Sequence, residues 1–248
     1  MELTILGCGG GVPRPGGAAC GHLLTHGGTK VWVDAGNGTL GQLLRYARAD
    51  EIDAVVISHR HWDHFLDLYP FTLARRGLDH DAPAKAPFRL IGPPDLLPHM
   101  ERLVGGAGAF DGILRWEPLE PGQSTRIDDI ALETLPMTHL VPTLGMRFTA
   151  GDRTIAYSAD TGPCQELVEI GRGADVLVCE AMYGAEQPGD PVHLSAQQAG
   201  EHAERAGAKS LVLTHVWHEL DLDAACDAAR TAYQGPVNAA GPDDVLRV

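Results

Sequence analysis

Ser58-His59-Arg60-His61-Trp62-Asp63-His64 closes the apolar run Ala54-Val55-Val56-Ile57. That run reads as a short buried strand, which delivers three imidazoles and one carboxylate into the loop beyond its end. Imidazole and carboxylate are usual ligands of zinc, and an open catalytic site needs several of them converging. On spacing alone the four donors can serve one ion or two. Consecutive loop residues wrap a single tetrahedral centre with difficulty. His59 and His61 on one ion, with Asp63 and His64 on a neighbour, is the easier arrangement. In either case the rest of the chain must supply the missing ligands.

Three further donors stand just past apolar runs. His139 follows Leu132-Glu133-Thr134-Leu135-Pro136, Asp160 follows Thr154-Ile155-Ala156-Tyr157-Ser158, and His215 follows Leu211-Val212-Leu213-Thr214. Strand ends collect at one sheet edge, where loops form sites. Taken singly, each would ordinarily be a loop residue making a local hydrogen bond. Their recurrence beside a dense histidine cluster favours the metal reading.

The remaining pattern fits one domain over 1–248, with antiparallel, strand-rich halves and interspersed helices. His22 to Thr25 and Lys30 to Asp34 read as a hairpin turned at Gly27-Gly28. A helix is expected near Leu40 to Ala47, another from Leu66 to Arg75 after the motif, and one capped by Asp95. Gly77 to Pro87 reads as a surface loop, and Gly105 to Gly112 as a flexible stretch bordering a cleft. Ser195 caps a clear helix that ends at Gly207. The run Gly7-Cys8-Gly9-Gly10-Gly11 lacks the Lys-Ser/Thr ending of a phosphate-binding loop. It is better explained by close passage of backbone.

Composition removes several function classes. With 44% hydrophobic and 21% charged residues the chain is an ordinary globular one. A formal charge of −14 disfavours non-specific nucleic-acid binding, yet permits a small anionic substrate if cations are bound. Cys8, Cys20, Cys164, Cys179 and Cys226 are scattered without a C-x-x-C pair, and read as reduced thiols. Met1-Glu2-Leu3-Thr4-Ile5 enters a strand pattern directly, and no run approaches the roughly 20 apolar residues of a membrane span. A cytoplasmic protein without membrane association is the expectation.

His59-x-His61-x-Asp63-His64 followed by His139, Asp160 and His215 resembles the metallo-β-lactamase superfamily. The likeness is closest to its ribonuclease Z-like, small-phosphodiesterase branch. Leu6-Gly7-Cys8-Gly9, Val33-Asp34-Ala35-Gly36, Tyr157-Ser158-Ala159-Asp160-Thr161 and His193-Leu194-Ser195-Ala196 extend it over nearly the whole chain. The resemblance implies an α/β (α+β) fold, a four-layer αβ/βα sandwich of two mixed sheets flanked by helices. It further implies two divalent metal ions, first of all Zn2+ with Mn2+ or Fe as substitutes. His59, His61 and His139 would take the first ion, and Asp63, His64 and His215 the second. Asp160 would bridge them, with a shared water between. Asp63, His193 and Glu180 are the implied catalytic groups, His193 protonating the leaving oxygen with Glu180 behind it. Cys179-Glu180-Ala181-Met182 stands where the family often has His-Glu-Ala-Thr. The alternative for His193 is a cap contact at the Ser195 helix. Asp34 would orient a ligand histidine.

The implied enzyme is a metal-dependent hydrolase, foremost a phosphodiesterase for a small-molecule phosphodiester such as a cyclic nucleotide, using a metal-bridging hydroxide. Acyl hydrolysis of a lactone, thioester or β-lactam is the alternative. In the tRNA endonucleases a long basic arm lies between the third histidine and the bridging aspartate. Here residues 140–159 leave room only for a strand pair, which speaks against tRNA as a partner. Homodimers are common among the relatives. His22, His80, His99, His202 and His218 are expected to be surface or packing histidines. Trp62 either walls the substrate pocket or packs.

Overall fold

A computed structural model describes residues 1–76, 86–184 and 191–248. The first half runs β1 (Glu2–Gly7), β2 (Gly21–His26), β3 (Thr29–Val33), α1 (Thr39–Leu43), β4 (Ala54–Val56), α2 (Trp62–Phe65), α3 (Leu68–Arg76), β5 (Phe88–Gly92), α4 (Leu96–Leu103) and β6 (Leu114–Pro118). The second half runs β7 (Ser124–Ile127), β8 (Ile130–Pro136), β9 (Leu144–Ala150), β10 (Arg153–Tyr157), α5 (Gln165–Ile170), β11 (Val176–Glu180), α6 (Ala196–Ala206), β12 (Leu211–Thr214), α7 (Leu222–Arg230), β13 (Val237–Ala239) and β14 (Val245–Arg247). The described strands form two seven-stranded sheets, ordered β14-β1-β2-β3-β4-β5-β6 and β13-β12-β11-β10-β9-β8-β7.

Both sheets are mixed, as the family resemblance implies, and the antiparallel expectation read from the residues alone is corrected. The β1–β2–β3 and β7–β8–β9–β10 ladders are antiparallel, whereas β3–β4–β5–β6 and β10–β11–β12–β13 run parallel. Helices at the crossovers explain the switch, because parallel neighbours need a crossover element and become buried on both faces. In β3, Val31 and Val33 face the inter-sheet core, while Trp32 faces the helices with Val55 and Phe71. The inter-sheet core joins Ile5, Val33 and Val56 to Leu132, Met146, Phe148 and Val178. Outer layers bury Leu43, Phe65 and Leu96 on one side, and Leu167, Ala199, Ala203 and Ala229 on the other. Four layers result.

Local expectations have mixed outcomes. The helix after the motif begins inside it, at Trp62, and breaks before Leu68. Asp95 makes no cap bond, and its carboxylate instead pairs with Arg60 at 2.6 Å. The Gly105 to Gly112 stretch is anchored in the helix layer by buried Phe110. The surface loop expected at 77–87 lies outside the described residues except for 86 and 87. Ser195 caps α6 in a capping box with Gln198, and Gly207 ends it in a left-handed conformation. The five cysteines are free, and among the described residues no helix is long and apolar enough to cross a membrane.

Candidate metal centre

Two features aim the site. The backbone N–H of Leu144 donates to the carbonyl of Ser58 at 3.0 Å, tying the opening motif of the first sheet to β9 of the second. Asp34, Ala159 and His215, each just past a strand, hold left-handed φ values of 55°, 53° and 54°. Such backbone costs a non-glycine residue of order 1–3 kcal/mol and tends to cluster where function needs it. It lets the chain leave each strand sharply and turn its side chains toward the sheet edge.

There the seven expected donors converge as two groups sharing Asp160. In one, His59 Nε2 and His61 Nδ1 stand 3.1 Å apart, and His61 Nδ1 and His139 Nε2 3.0 Å. His59 and His139 lie 3.6 and 3.7 Å from Asp160 Oδ2. In the other, Asp63 Oδ2 lies 3.5 Å from His64 Nε2 and 3.2 Å from His215 Nε2. Asp160 Oδ1 completes this group, 3.2 Å from His64 and 3.4 Å from His215. Donors about 2.0–2.2 Å from one cation stand roughly 3.3–3.6 Å apart at tetrahedral angles. The observed separations of 3.0–3.7 Å scatter about that range, so each group can close on an ion with small adjustments of its side chains. His64 Nε2 and Asp160 Oδ1 are buried without a hydrogen-bond partner, an arrangement costly unless something polar sits between them.

Burial and neighbouring charges shift the donors in different directions. Burial, with neighbouring imidazoles, holds His59 well below the usual histidine range, and His61 and His139 also lie below it. Burial tends to raise Asp63, yet His64 and His215 outweigh it, and the carboxyl sits below its ordinary range. Asp160 is likewise held well below it, by His215, His64 and His59 against burial. For His64 and His215 burial pulls down, and the carboxylates of Asp160 and Asp63 win, raising both. An imidazole ligates in its neutral form, so a cation bound there would compete with these carboxylate contacts that favour the protonated ring.

The supports lie behind the donors. Asp34 is fully buried and accepts from Ser58 N at 2.7 Å, Ser58 Oγ at 2.8 Å and Tyr157 OH at 2.8 Å. Its Oδ2 also meets His64 Nδ1 at 2.8 Å. His59 Nδ1 meets Ser58 Oγ at 2.9 Å, and His139 Nδ1 the carbonyl of Val192 at 2.9 Å. Ser58 and Tyr157 escape sequence reading as supports. Ser58 is visible only as the residue before the first histidine, and Tyr157 meets Asp34 only once the sheets pack.

His193 sits beside the donors, its ring stacked on His215 at 5.4 Å and edge-on to His139 at 5.0 Å. Its Nδ1 meets Glu180 Oε1 at 2.9 Å. Buried Glu180 also accepts backbone N–H bonds from Thr161, Met182 and Leu194. Burial lowers His193, but Glu180 outweighs it, and the imidazole is raised. Trp62 does not pack: it is 69% exposed beside His61, as Leu140 is 72% exposed beside His139. Among the other histidines, His22 and His202 are buried packing residues, and His80 lies outside the described residues.

Known proteins share this architecture. The Bacillus subtilis protein YhfI, named a probable metallo-hydrolase, is 30% identical over 97% of this chain and 97% of its own. The crystal structure of YhfI, a metallo-β-lactamase fold protein, superposes with a TM-score of 0.90 over 99% of this chain and 98% of that one, at 28% identity. A ribonuclease Z of Mycolicibacterium gilvum is 28% identical over 87% of this chain and 84% of its own. A diphosphatase of the PhnP family has the same fold, with a TM-score of 0.75 at 20% identity, over 100% and 97% of the two chains. The family model described as "Beta-lactamase superfamily domain" matches residues 29–216. This chain belongs to the metallo-β-lactamase superfamily and is a metallo-hydrolase of that fold.

Proposed function

We propose that residues 1–248 form one hydrolase domain, a dinuclear metal-dependent phosphodiesterase acting on small phosphodiesters such as cyclic nucleotides. One observation carries the reading: Asp160 divides its carboxylate, Oδ2 toward His59 and His139 and Oδ1 toward His64 and His215. His59, His61 and His139 would hold one cation and Asp63, His64 and His215 the other, with Zn2+ favoured by the imidazole-rich donor set. Two such cations, when bound, supply an activated water and the positive charge that neutralises phosphoryl oxygens in an in-line displacement. The protein's own groups do the rest. Glu180 fixes His193 through Nδ1, so Nε2 is the nitrogen available to give a proton to the leaving oxygen. Asp34 and Ser58 hold His64 and His59 in their ligating orientation.

Support for a small substrate comes from the interval between His139 and Asp160. It holds only β9, the turn at Gly151 and β10. The net charge of −14 points the same way. The similarities to a ribonuclease Z and to a diphosphatase favour phosphoryl chemistry over acyl chemistry. The test is turnover by the zinc-loaded protein of 3′,5′- and 2′,3′-cyclic nucleotides and of bis(p-nitrophenyl) phosphate, beside a lactone and a thioester. Metal-dependent cleavage of the diesters is the expected result. Cleavage of the acyl substrates alone would replace this reading.

A further inference from the structure

A cavity of about 350 Å³ opens beside the second donor group, lined by Met182, Tyr183, Gly184, Trp217 and Leu220. The seven donors are not among those residues, and two of the wall residues adjoin the centre. Tyr183 stands edge-on to His193 at 5.8 Å, and Trp217 follows His215 on the loop after β12. Met182 Sδ and His215 Cε1 both face Gly10, where an added Cβ would lie 2.9 and 3.5 Å from them. The wall is braced from outside, since the Arg14 guanidinium donates to the carbonyls of Leu220 at 2.5 Å and Trp217 at 3.4 Å.

We propose that this cavity is the specificity pocket for an uncharged planar aromatic group, the size of a nucleobase, carried on the leaving-group side of the phosphodiester. The inference rests on the phosphodiesterase reading above. Among the described residues no lining side chain is charged, so the phosphate belongs at the donor groups and an uncharged portion of the substrate here. The volume lies at the low end for ligand pockets, roughly 300–1,000 Å³, which suits one ring system rather than a long chain. Two aromatic side chains and a thioether offer stacking and soft sulfur contacts. Tyr183 against His193 puts the pocket on the side from which the leaving oxygen is protonated.

The test uses the full-length, zinc-loaded protein and two five-membered cyclic diesters, adenosine 2′,3′-cyclic phosphate and glycerol 1,2-cyclic phosphate. Base stacking on an aromatic side chain is worth about 1–3 kcal/mol, so Trp217→Ala is expected to raise KM for the adenosine ester about tenfold or more. The glycerol ester should change less than threefold. Equal losses on both esters, or an unchanged KM for the adenosine ester, would overturn the pocket. Gly184 has no positive φ, and a Cβ there would meet Leu220 Cδ2 at 3.0 Å. Gly184→Leu should therefore fill the space and reproduce the selective KM increase. A second readout needs no turnover: quenching of tryptophan fluorescence by adenosine and by nicotinamide, a non-fluorescent planar aromatic, with ribose as control. Quenching by both aromatics, lost in Gly184→Leu, supports a planar-group site, and quenching by adenosine alone assigns it to a nucleobase. Quenching by neither overturns it. Failure to cleave any diester while quenching persists would sink the phosphodiesterase reading and leave the pocket standing.

Discussion

His193 and Asp34 divide the work around the donors, and separate measurements tell them apart. Glu180 is committed to His193 and to three backbone N–H groups, so its task is orientation. His193→Ala is expected to lower kcat by about 10²–10⁴-fold on alkyl diesters, and by far less on p-nitrophenyl esters, whose leaving oxygen needs no proton. A uniform loss across leaving groups would remove the acid role. Asp34 acts on His64 and, through Ser58, on His59. Asp34→Ala should weaken metal retention about 10–100-fold in a chelator competition, and unchanged retention would contradict its supporting role. His22, which packs edge-on against Tyr157 behind the donors, supplies a separate pH effect. Both its ring nitrogens are buried and unpartnered. Burial outweighs Asp34 and pushes its pKa down to about 4. In the unfolded chain it titrates near 6.5. Between those values the unfolded chain holds the extra proton. The contribution to stability is therefore complete above about pH 6.5 and is lost as pH falls toward 4, some 3 kcal/mol in all. His22→Leu should flatten the fall in urea midpoint between pH 7 and 4.5; an unaltered slope would show that His22 is not the cause.

Helix ends and strand ends set the precision of the site. Ser195 accepts from Gln198 N at 3.2 Å, and Gln198 Oε1 accepts from Ser195 N at 2.9 Å, just after His193. Ser195→Ala should cost about 1 kcal/mol, a fall of roughly 2–4 °C in Tm for a chain of this size. No fall would mean the box is not formed. Gly36 shows the opposite economy: a Cβ there would stand 2.0 Å from the Asp63 carbonyl, so the loop bearing the second donor group is pressed against it. The donors are legible in the sequence because ligation demands particular residue types at strand ends. The α6 caps are legible because their chemistry is local. Parallel pairing was not, since Val31 to Val33 and Ala54 to Ile57 are buried on both faces and read as apolar runs without alternation. Strand β14 pairs with β1 across the whole chain, so it carries no local signal. The pocket walls Tyr183 and Trp217 meet only after the sheet forms.

The two sheets bring both donor groups to a single edge from distant segments, residues 59–64, 139, 160 and 215, and Asp160 belongs to both. That sharing makes the two-cation centre the claim on which the phosphodiesterase reading stands. The most direct measurement is metal content per chain by mass spectrometry of the zinc-saturated, desalted protein, for wild type and for His61→Ala and His215→Ala, with diester turnover measured alongside. About two ions per chain are expected in the wild type, about one in each variant, and loss of turnover in both. A wild-type chain that saturates at one ion and still cleaves phosphodiesters at full rate would contradict it.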